Sequence, residues 1–162
     1  MEDNSELSLL SLSKTLTNDA MNKPSAAMKM IEVATCMTEE VIALTPLAQN
    51  PAFRNGYIAV RTALNDMNPA PVEAAMLEIR KASAEAVKIT GNNLLVKFLG
   101  DPVFHGAEIF KAVQNGGFPK SQIIGLGADI GMIGPTVINQ VAGENAAKVT
   151  SSILKKVTKT IG

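Results

Sequence analysis

Between Ile123 and Val141 the chain runs through aliphatic residues interrupted by glycines at 125, 127, 131 and 134, with few strongly polar side chains. Such a segment is too apolar for a surface loop. It fits a tightly packed core helix, a membrane-seeking helix or a phosphate-binding turn, and each sends the protein to a different functional class. On a helix, at about 100° per residue, Ile123, Leu126, Ile130, Ile133, Val137, Ile138 and Val141 fall within one half of the circumference, and Gly127, Gly131 and Gly134 fall in the same half. Asp129, Met132, Thr136, Asn139 and Gln140 take the other half, with Ala128.

A glycine costs a helix roughly 1 kcal/mol relative to alanine, so three on an apolar face imply that something requires a side chain to be absent. Close approach of a neighbouring helix is the expected reason. Pro135 clashes with the carbonyl of Gly131 and is expected to kink or break the helix there. Gly127, Gly131, Gly134 and Pro135 are therefore read as helix-packing or interaction residues. A membrane span is disfavoured by Asp129 near the middle and Asn139 and Gln140 near the end. The phosphate reading fails on spacing: Gly125-x-Gly127-x-x-x-Gly131 is neither a dinucleotide fingerprint nor a P-loop.

The remainder of the chain has three-four apolar spacing and little strand alternation, so the fold class is all-α. Met30, Ala34, Met37, Val41 and Leu44 make one seam, and Phe53, Tyr57, Val60, Leu64 and Met67 make a second with matched steps. Two such helices around Pro46 and Pro51 are expected to form a central antiparallel hairpin over residues 24–67. A leucine-rich N-terminal helix to about Asn18 precedes them. A helix to about Thr90 follows, with Val72, Ala75, Met76, Ile79, Ala82, Ala86 and Val87 on one face and Glu78, Lys81, Glu85 and Lys88 on the other. Gly100 and Asp101 separate two shorter expected helices, the second beginning at Pro102. The last, from about Glu144, carries Thr150, Ile153, Leu154, Val157 and Ile161 opposite Lys148, Lys155, Lys156 and Lys159. The expectation is one compact domain over residues 1–162, a bundle of about seven or eight helices with a flexible tail at residues 1–4.

Charge excludes a class of partner. Fifteen basic and fifteen acidic residues balance, so no overall field draws the chain to nucleic acid. The sign is uneven, however: acids crowd residues 1–45 and lysines the C-terminus, which suits ends that meet within one molecule or between copies. Lys148, Lys155, Lys156 and Lys159 are candidates for contact with an anionic surface. Cys36 is the lone cysteine and is read as a small buried hydrophobe; the acidic N-terminus has no basic flank or apolar stretch of a secretory leader, so the cytoplasm is the default. His105 is the single histidine and is read as a half-exposed surface residue. Glu32, Glu39 and Glu40 are read as a solvated face.

No catalytic set, cofactor site or metal site is expected. The leading functional expectation is a non-catalytic, cytoplasmic helical protein acting through contact with a protein partner or another copy of itself. A second is a membrane-active protein that inserts residues 121–161. A third is a small-molecule-binding helical bundle, which requires an apolar pocket with convergent polar groups.

Overall fold

The computed structural model describes residues 5–68 and 70–161, and these residues are helical almost throughout. The expected tail at residues 1–4 lies outside the described residues, as do the side chains of Leu7, Val72 and Ile161. Helices α1 (Ser5–Asn22), α2 (Pro24–Ile42), α3 (Pro51–Asp66), α4 (Ala70–Thr90) and α5 (Asn93–Gln114) are followed by α6 (Lys120–Ala128), α7 (Gly134–Ala142) and α8 (Ala146–Ile161). A π turn, Asp129–Ile133, joins α6 to α7, and a 3-10 turn, Gly143–Asn145, joins α7 to α8. Counted as uninterrupted helical runs, the described residues make six rather than seven or eight.

Two continuities account for the lower count, one within α5 and one at the 3-10 turn that joins α7 to α8. Gly100 and Asp101 do not end a helix, because α5 runs straight through Pro102. The proline deprives one carbonyl of its usual donor, and the phenol of Tyr57 reaches in from α3 to donate to the neighbouring Leu99 carbonyl at 3.1 Å. Pro135 likewise fails to break its helix. The preceding turn widens instead, and the Gly134 amide donates five residues back to the Asp129 carbonyl, the bonding of a π turn.

Asn50 caps α3 through its side chain and Asn92 caps α5 in the same way. Helix α3 lies most extensively on α4 and more lightly on α2, whose larger partners are α1, α5 and α8. The first seam buries Met30, Ala34, Met37 and Val41, and the second buries Phe53, Tyr57 and Val60, while Leu44 and Met67 face solvent. Buried apolar residues from each of the segments α1 to α8 join one continuous cluster. At its centre the α6–α7 segment packs against α1, α2 and α5.

Helix α1 approaches this segment closely. A side chain at Gly131 would place its Cβ 2.6 Å from Ser13 Cβ, and one at Gly127 would strike the hydroxyl of Thr17. Ser13 also donates to the Gly127 carbonyl at 2.5 Å. Gly134 lies instead under Met37 of α2, where a Cβ would sit 2.8 Å from the thioether methyl. Pro135 is buried and Met132 points to solvent. Gly131→Leu is therefore expected to lower unfolding free energy by about 3 kcal/mol or more through overpacking, and Met132→Leu by less than about 0.5 kcal/mol. Denaturant unfolding of both variants checks this, and equal tolerance would refute the close approach.

Candidate functional site

The polar centre of the molecule lies where α5 faces the π turn. Lys97, Asp101, His105 and Glu108 follow one another on α5 at helical intervals of four, four and three, and so share a face. Against it, α6 and the π turn present Gln122, Gly125 and Asp129. His105 Nδ1 lies 2.8 Å from Asp129 Oδ2, and Gln122 Nε2 donates to Glu108 Oε2 at 2.9 Å. The Asp129 side chain is only 2% exposed and that of His105 is 26% exposed. A carboxylate so buried is stable only with a hydrogen-bonded partner, and His105 is that partner.

Gly125 is part of the same arrangement. A Cβ there would come within 2.9 Å of His105 Cε1, so the imidazole rests directly on helix backbone. Phe104 meets His105 edge-on, with ring centroids 6.2 Å apart. The hydrogen bond to Asp129 raises the affinity of His105 for its proton, with Asp101 and Glu108 adding to it and burial opposing it. Burial pushes the Asp101 carboxyl up, Asp129 reinforcing the shift while Lys97, 3.9 Å away, opposes it.

This pair corrects one sequence expectation and sharpens another. Asp129 sits on the polar half of its helix, but unlike Met132, Thr136, Asn139 and Gln140 of that half, which are exposed, it is turned against α5 and buried. His105 is partly exposed, as expected, but its ring is engaged by a buried carboxylate that the sequence reading did not assign to it. The signal available in the sequence was a lone acid inside an apolar helix together with a lone histidine, but nothing in the spacing says that the two meet.

Above Asp101 a groove of about 350 Å³ opens between α4 and α5, with Ile79, Val96 and Phe104 among its apolar walls and Ser83, Lys97 and Asp101 among its polar ones. Elsewhere, Lys156 of α8 pairs with Glu40 of α2, and Arg61 of α3 lies 3.0 Å from Glu39. The oppositely charged regions of the chain thus meet within one molecule at this point, and Glu39 and Glu40 are half-buried members of ion pairs rather than a solvated face. Lys148, Lys155 and Lys159 remain exposed on α8. Cys36 is buried, and burial with Glu40 and Glu39 nearby pushes its thiol up, which disfavours the reactive thiolate. No group of three or more potential metal ligands occurs among the described residues. No protein family model, curated protein or solved structure matches the chain.

His105→Ala would strand the buried Asp129 carboxylate. The expected cost is about 2 kcal/mol, short of the roughly 3–5 kcal/mol for fully buried pairs because the imidazole keeps contact with water. Asp129→Asn in that background should recover most of the loss. A histidine bound more tightly to its proton in the folded state stabilises fully below its ordinary value of 6.5 and loses that contribution as pH rises through the higher folded value. Unfolding measured across this window should show stability falling in the native protein and a flatter profile in His105→Ala.

Proposed function

We propose that this is a non-catalytic helical protein that works by self-association, its contact surface being the outward side of α6 and the π turn. One observation carries the reading. Phe118, Ile124 and Met132 are each more than half exposed, although Ile123, Leu126, Gly127, Ile130 and Gly131 around the last two are buried. The π turn slows the rotation of side chains around the axis, so Met132 stays near the line of Ile124 instead of drifting away from it. Exposed large apolar side chains close together mark interaction surfaces, and here two lie on one helical run with Phe118 in the loop that leads into it. Another copy of the chain suits this surface because the balanced charge of fifteen against fifteen sets up no long-range repulsion between copies.

A second reading has its own observation. Lys120–Lys159 is long and apolar enough to cross a membrane by length and composition, and Lys148, Lys155 and Lys159 near its C-terminal end are exposed. Against insertion stands the use already made of this segment, since 56% of its most apolar window is buried inside the bundle. Gly143, at φ 55°, also turns the backbone within it.

Native mass measured by sedimentation separates the possibilities. The native chain is expected to exceed monomer mass, and both Ile124→Glu and Met132→Glu are expected to fall to monomer with unchanged helical content. A native chain that stays monomeric at every concentration overturns the self-association reading. Co-sedimentation with anionic vesicles that is lost when Lys148, Lys155 and Lys159 are changed to Glu would transfer support to the membrane reading.

A further inference from the structure

The groove between α4 and α5 contains a residue that the fold does not explain. Gly100 lies inside α5 with ordinary helical backbone, where glycine is disfavoured by about 0.5–1 kcal/mol relative to alanine. The close-packed glycines of α6 and the π turn have neighbours that forbid a side chain, but Gly100 does not. A Cβ there would rest 3.5 Å from Ser83 Oγ and 3.7 Å from Ile79 Cγ2, an ordinary contact distance. Alanine would fit and would stabilise the helix. What glycine preserves at this point is open volume in the groove.

The groove has the dimensions and chemistry of a small ligand site: about 350 Å³, apolar walls that include Ile79, Val96 and Phe104, and a few polar groups at one side. Its charge is lopsided. Asp101 is the better buried of its ion pair, with a side chain 35% exposed against 59% for Lys97, and the two sit at a loose 3.9 Å. Glu108 lies on the same face of α5 as Asp101 and Asp129 on the facing π turn, so the carboxylates of this region outnumber the cations Lys97 and His105 even when the imidazole is protonated. The Ser83 hydroxyl donates to the Ile79 carbonyl at 2.8 Å, which leaves its oxygen able to accept from a ligand.

We propose that this groove binds a small apolar amine as its ammonium ion. The apolar body lies on Ile79, Val96 and Phe104, over the space left by Gly100. The ammonium donates to the Asp101 carboxylate and the Ser83 hydroxyl oxygen and displaces the solvent-facing Lys97. Such a site is separate from the self-association surface, and either stands or falls without the other.

The test is an amide-shift titration of the isotope-labelled full chain with phenethylammonium, using hydrocinnamate and phenylpropanol as anionic and neutral controls of similar shape. The ammonium probe should give saturable shifts centred on Ser83 in α4 and on Gly100 and Asp101 in α5. The two controls should bind at least about tenfold more weakly, the effect of losing one charge-assisted hydrogen bond. Asp101→Asn should reduce ammonium affinity by a similar factor. Gly100→Ala should weaken binding while raising the melting temperature, a combination that a damaged fold does not produce. Equal binding of the three probes, no saturable shift with the ammonium, or undiminished affinity in Asp101→Asn would overturn the proposal.

Discussion

The hydrogen-bonded pair of His105 and Asp129 fixes how the central segment of this bundle sits. Asp129 opens the π turn, and at 2% exposure its carboxylate has no access to bulk water. Once His105 holds it at 2.8 Å, the rotation of α6 about its own axis is set. Gly125 then falls under the imidazole, Gly127 and Gly131 fall under α1, and Gly134 falls under Met37. A rotation that freed Asp129 would drive side chains from three neighbouring helices into positions that only glycine can occupy.

The π turn makes this compatible with a proline. In a regular α-helix Pro135 would collide with the turn before it and leave a carbonyl unpaired. Widening that turn lets Gly134 donate to Asp129 instead, and the chain continues as α7 without a break. The same widening presents Met132 beside Ile124 on the outside. A backbone adjustment required by one buried residue therefore shapes the exposed apolar side to which self-association is attributed.

Much of the fold was legible in the chain because apolar periodicity reports burial directly. The all-α class, the burial of Met30, Met37, Phe53 and Tyr57, and the apolar side of residues 123–141 follow from spacing alone. Breakers were less informative. Gly100 and Pro102 resemble a helix boundary in sequence, but whether a proline ends a helix depends on the packing around it, and the contact beside this one joins Tyr57 to Leu99, 42 residues away. The polar centre was hidden for a related reason. A helical wheel sorts polar from apolar but cannot say whether the polar side faces water or a histidine on another helix. Ion pairs such as Lys156 with Glu40 bring together residues 116 positions apart, and the uneven charge of the chain hinted at their signs but not at which residues pair.

Because His105 is the sole histidine, its ring protons can be followed by nuclear magnetic resonance without ambiguity, and their titration tests the central pair most directly. The expected midpoint lies above the ordinary 6.5 and drops when Asp129 is replaced by Asn. A midpoint at or below that value, indifferent to the Asp129→Asn change, would contradict the pairing.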